Sequence, residues 1–344
     1  MATVSVIIPC YNYGRFLGQC VDSVLSQDGV DVEVLVIDDA SPDGSGEVAA
    51  ELACDQPRVR LVRHARNLGH IATYNEGLAQ ADGDCLLLLS ADDYLTPGSL
   101  SRAARLMDAH PSVGLVYGAA VLHGDDQRYE GELSSTSRYR VVPGREWIAE
   151  RCRAMNNVVP TPTAVVRTSV QRRVGGYRAD SPYAGDLEMW LRLAAYADVA
   201  ELEADQAIYR QHGLNMSVQQ HGALRTAFEG SRQAYETVLA EHAAAIPDAS
   251  RLRRVVRRQV ARRALRMATS RYCRGRVDPG EVTWLESYAS DVYPRCGLLA
   301  EWWGLHACKR MGPSAAARVG PAADRLRRGW RGAVDVPAAR TGRR

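Results

Sequence analysis

The chain has 344 residues, 46% of them apolar and 24% charged, which suits a globular protein with one large domain and an appendage, or with two domains. Its formal charge of +3 gives no reason to expect nucleic acid as a partner. The charge is uneven, because arginines crowd the stretch from Arg251 onward and Lys309 is the only lysine.

The apolar run Val4-Ser5-Val6-Ile7-Ile8 predicts a first strand, followed by a helix over 16–26, a strand over 32–37 and a helix over 46–53. The alternation continues with a strand over 59–62, a helix over 71–81, a strand over 85–89 and a helix over 99–109 begun by Thr96-Pro97. Strand and helix alternating at this spacing imply right-handed βαβ crossovers and a mostly parallel sheet. A strand follows at 113–117, then a polar stretch over 124–140 that reads as a hairpin or loop. Residues 187–197 have helical spacing, and Ala207-Ile208-Tyr209 reads as a closing strand. From about 222 the chain is helix-prone, with breaks expected at Pro247, Asp278-Pro279 and Pro294, and the tail over 313–344 reads as disordered.

Two aspartate pairs stand just past apolar strands, Asp38-Asp39 and Asp92-Asp93. In open α/β sheets ligands bind outside the carboxyl ends of the strands. Carboxylates gathered there repel one another unless a cation or a set of donors neutralises them, and a hard divalent metal, Mg²⁺ or Mn²⁺, fits oxygen ligands. Asp39 can accept from a base N–H or a ribose hydroxyl, while Asp43 and Ser45 are explained by helix capping. The turn Pro9-Cys10-Tyr11-Asn12 offers Tyr11 as a ring that stacks on a base, or as a half-buried strand-end aromatic.

The eight cysteines include no C-x-x-C pair, so reduced thiols are expected, not a disulfide frame or a zinc site. The chain enters a strand at once without a basic leader, and no apolar stretch reaches bilayer length; a cytoplasmic location is expected. Leu252, Val256, Val260 and Ala264 form an apolar stripe among arginines. That stripe reads as a helix with a solvated face, with peripheral contact on the inner face of a membrane as the competing reading.

Val4 to Asn12, Val36-Ile37-Asp38-Asp39-Ala40-Ser41, Asn67-Leu68-Gly69, Ala81-Asp82-Gly83-Asp84 and Ser90-Ala91-Asp92-Asp93 occur in this order. Together they resemble the family 2 glycosyltransferases of the GT-A fold, and the spore-coat-type subgroup in motif detail. The resemblance covers roughly the first 215 residues and implies a GT-A domain, taken as 1–221, an α/β unit with a mostly parallel central sheet flanked by helices; the helix-prone stretch beyond it reads as a helical extension over 222–312. It implies an inverting enzyme that moves a sugar from a UDP- or dTDP-sugar to an acceptor hydroxyl or amine. Pro9, Tyr11, Asn12, Asp39 and Asn67 then belong to the nucleotide-sugar site, Tyr11 stacking on the base. Asp92 and Asp93 correspond to the metal and sugar-diphosphate motif. Asp186, in Gly185-Asp186-Leu187-Glu188, corresponds to the general base, and Tyr209-Arg210-Gln211-His212 resembles a segment in which His212 ligates the metal or a phosphate and Arg210 supports the donor.

Three departures stand out: Ser90 and Gly185 occupy positions that are often acidic, and Tyr74 one that is often Arg. The last weakens the case for uracil and admits other nucleotides. A nucleotidyltransferase is the rival enzyme reading, although Pro9-Cys10-Tyr11-Asn12 is not the Gly-rich basic loop that grips a triphosphate; a catalytically silent sugar-nucleotide-binding protein is the rival outside enzymes.

Overall fold

Val4, Val6 and Ile8 face one side of the first strand and Ile7 the other, and all four are fully buried. A strand apolar on both faces must be covered on both, as in a parallel sheet with helices on each side. The computed structural model describes residues 1–124, 128–181, 184–213, 215 and 224–318, and its centre is a nine-stranded mixed sheet. β1 (Thr3–Cys10), β2 (Asp31–Asp38), β3 (Val59–Arg63) and β4 (Cys85–Leu88) are parallel, joined through α1 (Gly14–Leu25), α2 (Ser45–Asp55) and α3 (His70–Gln80). The predicted elements of this half lie where the apolar runs placed them.

Beyond β4 come β5 (Tyr94–Leu95), α4 (Ser99–Ala109), β6 (Val113–His123), β7 (Tyr139–Val142), α5 (Gly144–Ala154), β8 (Val165–Arg167), α6 (Thr168–Val174), α7 (Gly185–Ala194) and β9 (Asp198–Arg210). The strand order is β3-β2-β1-β4-β8-β6-β9-β5, with β7 also paired to β9. β8 runs antiparallel between β4 and β6, and β5 pairs antiparallel with the end of β9 through Tyr94↔Ile208 and Leu95↔Ala207. That last pairing decides the site, since it sets residues 92–93 beside residue 210.

Two cores sandwich the sheet. Val4, Val6, Ile8, Val34, Val36, Leu87 and Leu89 face one core, which α1 and α4 cover through Leu17, Val21, Leu100 and Met107. Ile7, Leu35, Ile37, Leu86 and Leu88 face the other, together with Trp147 of α5 and Trp190 of α7. The C-terminal helices α8 (Leu224–Glu241), α9 (Ala249–Cys273), α10 (Pro279–Val292) and α11 (Ala300–Met311) join this second core through Tyr235, Val238, Val256, Val260, Leu285 and Leu305. The expected breaks at Pro247 and Pro294 fall between these helices, and Asp278-Pro279 forms the N-cap and first residue of α10. Residues 313–318 are helical, which departs from the expected disorder there; the remainder of the tail, 319–344, lies outside the described residues.

Four of the nine arginines of α9 are ion-paired among the described residues. Arg257 pairs with Glu236, Arg262 and Arg266 with Glu301, and Arg271 with Glu281. No helix among the described residues is long and apolar enough to cross a membrane. Cys10, Cys20, Cys54, Cys85, Cys152, Cys273 and Cys296 are free thiols.

The motif around Gly83 is architectural. A Cβ on Gly83 would lie 2.8 Å from the Thr3 carbonyl oxygen and 2.9 Å from the Ser5 nitrogen, so only glycine lets this turn pass so close to β1. Gly83 N–H donates to Ser5 Oγ at 2.8 Å and Thr3 N–H to the Asp84 carboxylate at 3.0 Å.

Candidate active site

The carboxyl ends of β1, β2 and β4 open on a small cavity of about 310 Å³ lined by Pro9, Tyr11, Asn12, Asp39 and Asn67. All five residues expected at the nucleoside end therefore meet in one place. Tyr11 is 44% exposed, which leaves its ring free to stack. Asn12 adopts a left-handed φ of 64°, its N–H donates to Ser41 Oγ at 3.1 Å, and its buried Oδ1 has no partner among the described residues. A buried acceptor without a partner costs stability unless a ligand supplies the donor.

Asp39 holds the cavity floor. Its Oδ1 accepts from Leu68 N–H at 2.7 Å and its Oδ2 from Gly69 N–H at 2.9 Å, while His64 Nδ1 lies 2.7 Å from Oδ1. Burial would raise its pKa, but the bonds from His64, Leu68 and Gly69 outweigh that and hold it below the ordinary carboxylate value. Asn67 Oδ1 accepts from Gly69 N–H at 3.0 Å, so the Asn67-Leu68-Gly69 loop hangs on two side chains. Asp38 is instead buried under the turn and accepts from Ser41 N–H at 3.2 Å.

A larger cavity of about 810 Å³ adjoins the first, and both are lined by Tyr13, His70, Tyr74 and Ser90. Asp92, Asp93 and Asp186 line the larger one. Asp186 is the second residue of α7; its Oδ2 accepts from Thr161 Oγ at 2.8 Å. Burial pushes its pKa up, against the Thr161 bond and the charge of His70, so the carboxylate is a stronger base than an exposed one. Asn75 clamps the neighbouring strut, donating to Tyr177 O at 2.9 Å and accepting from Tyr177 N–H at 2.6 Å. Glu188 turns away and pairs with Arg192 at 2.7 Å inside the core.

The tertiary structure separates the two acidic neighbours. Asp92 Oδ2 lies 3.1 Å from His212 Nε2 and accepts from Asn215 Nδ2 at 3.1 Å. Asp93 Oδ1 accepts the Arg210 backbone N–H at 3.0 Å, and burial followed by the Asp92 charge raises its pKa well above the usual range. Asp93 thus fits a structural acceptor better than an ionised metal ligand. Arg210, expected among the donor ligands, is 1% exposed. Its Nη1 donates to Asp92 O at 2.7 Å, its Nη2 to Gln19, and its guanidinium lies between the rings of Phe16 and Tyr94, 4.7 and 4.8 Å from their centroids. It braces the loop of Asp92 from beneath because β5–β9 pairing draws it inward.

The donor set accommodates a divalent metal in a limited way. No group of three His, Cys, Asp or Glu side chains that could hold a metal is assembled among the described residues. Asp92 and His212 stand 3.1 Å apart, near the spacing of about 3.0 Å between adjacent ligands of an octahedral ion with bonds of about 2.1 Å. Such an ion usually takes one or two protein ligands and completes its shell with phosphate and water.

Sequence reasoning did not reach several lining residues. Tyr13 and His70 follow recognised motifs by one residue, and Thr161 lies in an unremarkable Thr-Pro-Thr turn. Thr226 and Ser231 of α8 and Arg263 of α9 also wall the larger cavity; nothing in a helical amphipathic pattern tells which exposed residue faces a distant cleft.

Residues 5–165 match the family model described as Glycosyl transferase family 2. An uncharacterized protein of Mycobacterium tuberculosis is 30% identical over 215 residues, 60% of this chain and 66% of that protein. An uncharacterized glycosyltransferase of Nostoc is 34% identical over 125 residues, 36% of this chain and 38% of that one. The chain thus spans less than two thirds of the length of each. Among solved structures, Staphylococcus aureus TarS 1–349 in complex with UDP-GlcNAc is similar at a TM-score of 0.62 and 17% identity, over 94% of this chain and 92% of that one; this is a likeness of fold.

Proposed function

We propose that this protein transfers a sugar from a nucleoside-diphosphate sugar to an acceptor nucleophile with inversion at the anomeric carbon, a reading supported by the match of residues 5–165 to the Glycosyl transferase family 2 model. One observation carries the reading: the nucleoside-facing cavity of Tyr11, Asn12, Asp39 and Asn67 adjoins the cavity that holds Asp92 and Asp186. The 810 Å³ of the second leaves room for a sugar and an acceptor together.

In this mechanism Tyr11 stacks on the base, and Asn12 Oδ1 and Asp39 accept from base or ribose. Asp186 takes the proton of the acceptor as its oxygen or nitrogen attacks the anomeric carbon, and Thr161 holds the carboxylate in place. One displacement inverts the centre. Asp92 and His212 would hold Mg²⁺ or Mn²⁺, which supplies positive charge to the departing diphosphate. Asn215 and Arg210 keep the Asp92 loop in position. A UDP-sugar is the first donor to test, as the fold neighbour TarS binds UDP-GlcNAc. Ser90 in place of a first acidic residue is the feature shared with spore-coat-type transferases.

Calorimetric titration with UDP-, dTDP- and GDP-sugars, with and without Mn²⁺, tests the reading. Binding of one donor, followed by product whose anomeric proton coupling shows inversion, supports it. No binding of any nucleoside-diphosphate sugar sinks it.

A further inference from the structure

We propose that His70 is a catalytic residue that donates a hydrogen bond to the donor's diphosphate at the neck between the two cavities. The proposal rests on the transferase reading above, in which the nucleoside fills the small cavity and the sugar the large one. A diphosphate that connects them has to cross the neck formed by Tyr13, His70, Tyr74 and Ser90.

That crossing carries negative charge past the carboxyl groups of Asp92 and Asp186, which line the same large cavity. Like charges in a partly enclosed space repel strongly, so the neck needs donors or positive charge. Tyr13, Tyr74 and Ser90 can offer only hydroxyls, and burial, aided by nearby carboxylates, keeps both tyrosines from ionising. Of these four residues His70 alone can carry positive charge. It lines the same cavity as Asp186, and in its protonated form it would lower the pKa of that carboxyl. Its ring meets Tyr74 edge-on at 5.5 Å, which restricts its orientation.

His70 also follows Gly69 directly, and Gly69 N–H is bonded to Asp39. The nucleoside contact and the diphosphate contact therefore sit on one short, tethered segment. As the acceptor bonds to the anomeric carbon, the bond from that carbon to the diphosphate oxygen breaks and its electron pair leaves with the nucleoside diphosphate; the acceptor proton passes to Asp186. An N–H of His70 on a phosphate oxygen strengthens as that charge grows, so it acts on the rate more than on donor affinity.

The test compares UDP, dTDP and GDP with their nucleosides by titration calorimetry at fixed Mg²⁺, using the full chain and its His70→Ala, His70→Asn and His70→Gln variants. Wild type is expected to bind one diphosphate more tightly than its nucleoside. His70→Ala should shrink that preference by about 10- to 100-fold while nucleoside affinity is kept, and the Asn or Gln variant, which retains an N–H donor, should recover part of it. With the matching donor sugar, kcat of His70→Ala should fall by a larger factor than KM rises. An unchanged preference, or equal loss of nucleoside and diphosphate affinity, overturns the role of His70 and leaves the transferase reading standing. Failure of wild type to bind any diphosphate overturns both.

Discussion

The imidazole of His64 sets its Nδ1 2.7 Å from Oδ1 of Asp39, while its Nε2 lies 2.8 Å from Glu76. A ring flanked by two carboxylates donates from both nitrogens, which is the imidazolium form. Burial opposes that charge, but the bonds and charges of Asp39 and Glu76 prevail and raise the pKa above 6.5. Asp39 is shifted the other way, below 3.8, its bonds outweighing burial.

The pair consequently stabilises the fold within a window. The His64 contribution is complete below about pH 6.5 and is lost as pH rises through its raised folded value; the Asp39 contribution is present above about pH 3.8 and is lost as pH falls through its lowered one. His64→Gln is expected to cost about 1–3 kcal/mol at pH 6 and less at alkaline pH, with nucleoside affinity falling in parallel. Thermal unfolding across pH checks this, and a cost independent of pH would mean that the ring is held neutral.

Asp186→Asn keeps the size and the Thr161 contact but removes the base. Transfer should fall by about 10²–10⁴-fold with donor affinity unchanged by calorimetry. The wild-type rate should decline as pH falls through the raised pKa of Asp186, and the variant should lose that acid limb. Full activity in the variant would remove Asp186 from the mechanism.

Asp92 and Asp93 should respond differently to the same substitution. Asp93→Asn preserves the acceptor for Arg210 N–H at a site where burial already disfavours charge, so folding should survive. Asp92→Asn and His212→Ala should weaken metal dependence, raising the Mg²⁺ or Mn²⁺ concentration for half-maximal rate by roughly 10-fold or more. A metal titration of the three variants decides the matter; equal effects at 92 and 93 would contradict the separation.

Removing residues after 221 should not leave a folded N-terminal domain. Tyr235, Val238, Val256 and Val260 share one core with Trp147, Trp190 and the sheet residues Ile7 and Leu86, and Tyr235 donates to Arg151 O at 3.1 Å. Loss of cooperative thermal unfolding in the truncated chain is the expected result. A well-folded, donor-binding truncation would show that the helices are a separate unit.

Apart from β5, the half of the fold up to α4 was legible because its strands are short runs dominated by Val, Ile and Leu. β6 and β9 were read too short: their pairing shifts register at three places, and β9 contains buried Asp205 and Gln206. Asp205 is compensated by Ser134 N–H at 2.8 Å and Gln206 by Arg102 Nε at 2.7 Å, partners that no local pattern reveals. β5, two residues long, and α5 had no distinctive period.

Local chemistry in the chain specified the strand-end turns and the residue types they carry, Tyr11, Asp39 and Asp92, because a short apolar run followed by an acidic turn depends only on neighbours; Asp186, at the start of α7, was reached only through the resemblance of its segment. Which of those carboxylates faces the cleft did not follow from it. Asp93 Oδ1 is held by the backbone N–H of a residue 117 positions away and Asp92 Oδ2 is faced by an imidazole 120 positions away. His64 between two carboxylates, His70 at the neck and the α8–α9 wall of the cavity are likewise products of packing, since side-chain orientation and charge state are set by the partners that the fold brings near.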